Sequence, residues 1–478
     1  MAVSLEDSSN EKIKVSETVL TTRPGWSTLE ARLLLNDTLL SSHAVAVYAP
    51  ISMNESLKIS QQKLGIAWDL GGGIGWGVLG LHASLALVQY GILPVPLRKV
   101  HGYDMSQIQR SALGPSLLFA ALHERKETPD FPVVHALGRW GKDGALGSMR
   151  NELWSRNRNL GILFAETRTW SESDLKVLAK FNGLLLGSSW CAQALRLAAE
   201  HINITLPPTS LFLQGVDTGL FFPPSAVTRD QNARFRIFSG GKLEWRKGHD
   251  IVVESFKRFI AKHPEANAEL FLAWTNPWPL TVASMTNATH TQGIPESVQI
   301  TGVNSSGIRD WLEKNGLDRE HFISLPALPH NRIPELLRSV DAALFPNRVE
   351  GGTNLVAMES VAAGIPTILS ATTGHIDLLN SLGWDHGAWA LRNQSFPRPP
   401  GAPFTEVVNA PSATQLGGES DPDEAVDALG QIYLHRATAR RRALKGAKVM
   451  QAWTWVGAVR ILVREAFPLR EIIVSTLS

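Results

Sequence analysis

Three cations crowd one short stretch of the chain: Lys242, Arg246 and Lys247 in SGGKLEWRKGHD (239–250). The stretch follows an apolar run that reads as a strand and precedes a helical pattern. Positive side chains at that turn oppose the partial positive charge of the helix N-terminus unless an anion lies between them. A phosphate would relieve that cost, and Gly241 lets backbone N–H groups come close to it. Further along, two carboxylates stand in VEGGTNLVAMES (349–360). Gly351 and Gly352 free the backbone ahead of a helix expected over 355–363, and Asn354 is placed to cap it, so the N–H groups of Thr353 to Leu355 can face a diphosphate. Glu359 falls about one turn inside that helix, where a carboxylate can accept two hydroxyl hydrogen bonds. Glu350 lies in the loop before it.

A second glycine-rich loop, GGGIGWGVLG (71–80), also joins a strand to a helix. It contains Gly73, Gly75 and Trp76, and places Gly75, Gly77 and Gly80 in G-x-G-x-x-G spacing. That pattern suits a dinucleotide, but the acidic residue that would bind ribose hydroxyls about 20 residues on is missing. The next strand instead ends Pro96-Leu97-Arg98-Lys99. A basic pair can take a 2′-phosphate, so an NADP-dependent oxidoreductase stands as the alternative reading. His135 and Glu166 are expected at the carboxyl ends of strands, the edge where parallel sheets bind ligands. His82, inside a helix, reads as structural. The Asp-x-Asp pair Asp421-Pro-Asp423 opens a helical pattern, where acidic residues serve as caps, so no metal site is expected.

These residues need a frame. From 64 onward short apolar runs alternate with helical periodicity, the mark of β-α-β units around parallel sheets. Strands are expected at 65–68, 133–137, 160–164, 183–186 and 211–213, and a helix over 78–90 with Val78, Leu81, Leu85 and Val88 on one face. After a polar, proline-bearing linker at 225–232, a second series carries strands at 235–239, 269–274, 342–346 and 367–369. Helices are expected at 249–262, 333–339, 355–363, 421–434 and 447–467. The expected organisation is an extension (1–63), a first Rossmann-like domain (64–224), the linker, a second Rossmann-like domain (233–446) and a C-terminal helical segment (447–478). The extension shows no clear period and is given no role.

At 478 residues the chain exceeds one core, and 44% hydrophobic content with 19% charged residues fits an ordinary folded protein. A net charge of +2 is too small to make nucleic acid the main partner. The single cysteine, Cys191, excludes an intrachain disulfide, and the polar N-terminus lacks the pattern of a secretory signal, which together point to the cytoplasm. Residues 70–97 carry no charge, but their seven glycines and two prolines argue against a membrane span. The basic, tryptophan-bearing C-terminal helices imply peripheral membrane contact at most.

The run FPNRVEGGTNLVAMESVAAGIPTILS, followed by TGHIDLL, resembles the retaining family 4 glycosyltransferases. GGKLEWRKG stands in place of that family's G-R-L-x-x-x-K-G, and LQGVDTGLFFP in place of N-G-V-D-x-x-x-F-x-P. The resemblance implies the α/β GT-B fold: two Rossmann-like domains facing across a cleft, with a C-terminal helix crossing back to the first. It implies a UDP-, GDP- or ADP-sugar donor held mainly by the second domain, an acceptor of unknown kind, and no cofactor. Lys242 and Lys247 match the family's diphosphate contacts, Glu359 its ribose contact, and Glu350 and His135 its contacts with the transferred sugar. Gly73, Gly75, Trp76 and Glu166 fall on the acceptor side. Three positions depart from the pattern: eight residues rather than seven separate the two carboxylates, Lys242 replaces arginine, and Gln214 replaces asparagine. A GT-B homologue without turnover is the second alternative.

Overall fold

The computed structural model describes residues 3–6, 12–23, 26–35, 38–48, 62–71, 73, 75–102, 105–122, 128–138, 153–166, 170–224, 233–294, 305–395 and 417–468. The linker expected at 225–232 lies outside them. The extension holds four strands, β1 (Val3–Glu6), β2 (Lys12–Arg23), β3 (Trp26–Leu35) and β4 (Thr38–Tyr48), in one antiparallel sheet. Its register sets Ile13 opposite Leu35, Val15 opposite Leu33 and Val19 opposite Leu29. The register thus pairs apolar residues at alternate positions, where no clear period was expected from the sequence.

The first α/β domain is built on β5 (Lys63–Ile66), β6 (Leu93–Pro96), β7 (Val133–Leu137), β8 (Asn159–Leu163), β9 (Gly183–Leu186) and β10 (Thr209–Leu211). They form a parallel sheet in the order β10-β9-β8-β7-β5-β6. The second domain repeats the scheme with β11 (Arg236–Gly241), β12 (Glu269–Trp274), β13 (Phe322–Ser324), β14 (Ala342–Phe345), β15 (Thr367–Ser370) and β16 (Trp389–Leu391). Its order is β13-β12-β11-β14-β15-β16, again parallel. In both sheets the order reverses beside the first strand, β5 or β11, and the glycine-rich turns follow those strands. Open sheets present their ligand crevice at such a point.

The helix Gly75–Gln89 is buried over most of its circumference rather than on one face. Val78, Leu79, Ala83, Ala86 and Leu87 join the core that also holds Trp455, Val459, Leu462, Val463 and Ala466 of the last helix, Trp455–Ala466. Leu81, Leu85 and Val88 pack instead with Met105 and Leu113. The return of the C-terminal helix to the first domain is thus a matter of shared core. The single helix expected over 447–467 is two helices, Arg436–Met450 and Trp455–Ala466, because the chain turns at 451–454 and the Thr454 hydroxyl caps the second. At the break the Val216 N–H donates to the Trp453 carbonyl at 2.7 Å, which fixes the crossing. No helix among the described residues is long and apolar enough to cross a membrane.

Candidate active site between the two sheets

The turn after β11 and the loop after β14 converge. Gly241, with φ of +127°, lets the chain leave the strand, and the short 3-10 helix Trp245–Lys247 ends at Gly248, where φ is +68°. A Cβ on Gly248 would lie 2.2 Å from the Pro346 carbonyl oxygen, so only glycine lets the two loops approach this closely. Lys247 and Glu350 then form a buried ion pair, and Asn347 Nδ2 donates to the same carboxylate. Burial alone would raise the Glu350 pKa, but Lys247 and Arg246 outweigh it and hold the carboxyl at about 2. Burial is also the largest influence on Lys247 and leaves its pKa lowered, despite Glu350.

Arg246 reaches Glu350 at 3.5 Å, Glu244 at 2.7 Å and, across the cleft, Glu166 of the first domain at 2.5 Å. Sequence reasoning counted Arg246 only as one of three crowded cations. Lys242 is turned elsewhere, 3.4 Å from Glu244 and over the Trp278 ring. Beneath this cluster lies a network that the sequence did not reveal. The fully buried Arg348 bonds both oxygens of Asp250 at 2.8 Å, the Glu419 carboxylate at 3.1 and 3.2 Å and the Trp245 carbonyl at 2.9 Å. It binds the Lys247 turn to the Glu350 loop. Its partners are 98 and 71 residues away, a separation that no local pattern reports.

The loop glycines have a reason beyond a free backbone. A Cβ on Gly351 would meet the Ala165 carbonyl at 2.4 Å, and one on Gly352 the Phe164 ring at 2.7 Å. Both residues lie against the first domain. The Ser188 hydroxyl donates to the Gly351 carbonyl at 2.9 Å, and Ser189 N–H and Oγ bond Asp377 at 2.7 and 2.6 Å. Thr353 is buried with its hydroxyl on Met358 Sδ. Leu355 packs against the core of the facing domain, as do Trp76 and Phe164, whose rings are 5.0 Å apart. Asn354 occupies the cap position of the helix Leu355–Ala362, yet its side chain makes no capping bond. This differs from expectation: with φ of 62° its amide is turned to His375 Nε2, 3.0 Å away, and His375 Nδ1 meets Ser370 Oγ at 2.9 Å. Burial lowers the His375 pKa to about 4. Glu359 is buried in the helix with Oε1 2.6 Å from His330 Nε2. Burial disfavours the His330 cation, but Glu359 overcomes this and raises its pKa.

His135 does not join the group. It lies mid-strand in β7, 4% exposed, with Nε2 3.0 Å from Asn159 at the amino end of β8. Its ring packs against Trp154 and Phe181, and burial lowers its pKa. Two more strand residues separate it from the carboxyl edge, so the expected contact with a transferred sugar gives way to core packing. In the first glycine loop, Gly73 and Gly75 are exposed, whereas a Cβ on Gly77 would strike the Gly71 carbonyl at 2.5 Å and one on Gly80 the Trp68 indole at 2.7 Å. Arg98, proposed for a 2′-phosphate, is paired with Asp69 at 3.3 Å. Asp421 caps the helix Pro422–Leu434 by accepting from the Asp423 N–H.

Two parallel six-stranded sheets facing across a cleft, joined by a helix that crosses back, give the chain the GT-B fold. Residues 329–462 match the model of the family described as "Family 4 Glycosyltransferase in conflict systems". Over 184 residues the chain is 24% identical to mannosylfructose-phosphate synthase of Agrobacterium fabrum (strain C58 / ATCC 33970), covering 37% of this chain and 34% of that protein. The match thus spans about a third of that relative's length. Among solved structures, sucrose-phosphate synthase from Thermosynechococcus elongatus aligns with a TM-score of 0.55 at 14% identity, over 87% of this chain and 100% of the other. Anabaena Alr3699/HepE in complex with UDP aligns with a TM-score of 0.52 at 12% identity, over 86% and 100%.

Proposed function

We propose that the chain is a retaining glycosyltransferase that moves a sugar from a nucleoside-diphosphate sugar to an acceptor hydroxyl. The observation that carries this reading is the meeting of Lys247, Arg246 and Glu350 in a buried cluster at the crevice of the second sheet, beside the start of a helix that bears Glu359. Lys247 neutralises the leaving diphosphate, the role of preorganised charge where negative charge develops, while Lys242 pairs with Glu244 at the edge of the cluster. The Gly241 turn and the backbone of Gly351, Gly352, Thr353, Asn354 and Leu355 enclose the phosphates. Glu359, steadied by His330, accepts the ribose hydroxyls, and Glu350 meets those of the sugar. Gly73, Gly75, Trp76 and Glu166 face them from the acceptor side.

The bond from the anomeric carbon to the phosphate oxygen breaks as the acceptor oxygen bonds that carbon on the same face. The acceptor's proton passes to the leaving phosphate oxygen, so no protein nucleophile is required. The two carboxylates bind substrate and are not the acid and base of a hydrolase. Charge at the phosphates comes from lysine and arginine, so no metal is needed. The single buried thiol of Cys191 is compatible with the cytoplasm. The solved UDP complex of Alr3699/HepE, which shares the fold, supports a nucleotide donor.

The test is nucleoside diphosphate release from UDP-, GDP- and ADP-sugars, followed by the anomeric configuration of the product by NMR. Release from one donor with retention supports the reading. No release from any donor, with or without a panel of sugar and lipid acceptors, removes it.

A further inference from the structure

The charges at the centre of the cleft already balance. Lys242, Arg246 and Lys247 face Glu166, Glu244 and Glu350. A diphosphate entering this cluster must displace a carboxylate or leave its own charge uncompensated. Two of the three carboxylates are fixed, since the Glu244 and Glu350 side chains are 6% and 7% exposed. The third differs. Glu166 belongs to the other domain, follows β8 in a loop, and its side chain is 47% exposed.

The cation it touches is the one suited to phosphate. The Arg246 side chain is 11% exposed and presents a planar fork, which pairs with phosphate oxygens in a bidentate manner that an ammonium cannot reproduce. Its Nη2 holds Glu166 Oε1 at 2.5 Å and Glu244 Oε1 at 2.7 Å, while Nη1 reaches the Val349 carbonyl at 3.2 Å and Glu350 Oε2 at 3.5 Å. Its buried Nε has no hydrogen-bond partner among the described residues. Lys242 reaches this arrangement only through Glu244, with its ammonium over the Trp278 ring.

We propose that Arg246 is the guanidinium that receives the donor diphosphate, and that Glu166 is the internal anion holding that position in the unliganded protein. The inference rests on the donor reading above and deepens it: donor binding exchanges a carboxylate of the first domain for a phosphate. It gives Glu166 a duty toward the donor and makes the Arg246–Glu166 contact a link between donor arrival and the spacing of the domains.

Isothermal titration with inorganic pyrophosphate, UDP, GDP and ADP, and with the corresponding nucleosides, tests the exchange. Glu166→Gln removes the competing charge at a half-exposed position, so pyrophosphate and the accepted diphosphate are expected to bind about two- to fivefold tighter, the scale of a partly exposed ion pair. Nucleoside affinity is expected to stay unchanged. In an Arg246→Lys background the same substitution should give no gain. Unaltered or weaker diphosphate binding by a folded Glu166→Gln protein, while wild type binds, overturns this inference and leaves the donor reading intact. Should Arg246→Lys fail to fold, the single variant still decides. Wild type that binds neither pyrophosphate nor any diphosphate overturns both.

Discussion

Arg348 offers the sharpest test of what holds the site together. Its guanidinium is fully buried and joins Asp250, just after the Lys247 turn, to Glu419 and to the loop that carries Glu350. Arg348→Met keeps most of the apolar stem but strands Asp250, whose side chain is also fully buried. Removing one partner of a buried ion pair costs about 3–5 kcal/mol because the other charge is left uncompensated. Two features favour the lower end: the Thr289 N–H still donates to Asp250 at 3.2 Å, and Glu419 keeps His290 at 2.8 Å. A loss of about 3 kcal/mol in a domain of 150–250 residues lowers the unfolding midpoint by roughly 6–12 °C. Differential scanning calorimetry of Arg348→Met, Asp250→Asn and the double variant measures it. The double variant is expected to be less damaged than the sum of the singles, by about 1–3 kcal/mol. A midpoint within about 2 °C of wild type for Arg348→Met, or strict additivity, would refute the claim that this pair fixes the two loops.

Lys247→Ala is expected to lower kcat/KM by about 2–4 kcal/mol of transition-state stabilisation in a steady-state transfer assay, and unchanged turnover removes its role. The Glu350 carboxyl lies at about 2 against an ordinary 4.5, so its pairing contributes stability fully above about pH 4.5 and loses it as the pH falls toward 2. Glu350→Gln should therefore flatten that part of the acid limb in urea unfolding, and two parallel limbs would contradict the assignment. His135→Ala is expected to cost about 2–5 kcal/mol of stability through lost packing, with nucleoside diphosphate affinity unaltered; a stable variant deficient only in transfer would return His135 to the site. Excess EDTA is expected to leave the initial transfer rate unchanged, and loss rescued by Mg²⁺ or Mn²⁺ would show that a metal stabilises the leaving group.

Much of the second domain was legible because its central strands are short, apolar and largely buried. The expected strand at 269–274 is observed as Glu269–Trp274, and the expected helix at 249–262 as His249–Lys262. The edge strands Phe322–Ser324 and Trp389–Leu391 were missed, since three residues carry too little periodicity to register. The N-terminal sheet was missed for another reason. Its alternation is visible only when strands are paired, as Ile13 with Leu35 and Val15 with Leu33.

At the site, residue types were readable and partners were not. Lys247 and Glu350 stood out by their settings, but nothing local shows that they touch or that Arg246 spans the cleft to Glu166. Gly351 and Gly352 looked like phosphate-loop glycines, yet their tightest constraint comes from Phe164 and Ala165 of the opposite domain. His135 misled because an apolar strand ending near a histidine looks alike whether the ring faces a cleft or packs, as here, on Trp154 and Phe181.

The central claim is that a nucleoside diphosphate binds at the Lys247–Glu350 crevice of the second domain. Thermal unfolding of wild type and Lys247→Ala with UDP, GDP, ADP and NADP, each at saturating concentration, tests it most directly. At least one diphosphate is expected to stabilise wild type by about 2.7 kcal/mol at 100 times its Kd, with most of that gain lost in Lys247→Ala. Stabilisation by NADP alone, undiminished in Lys247→Ala, would contradict the account and move the nucleotide to the first glycine loop.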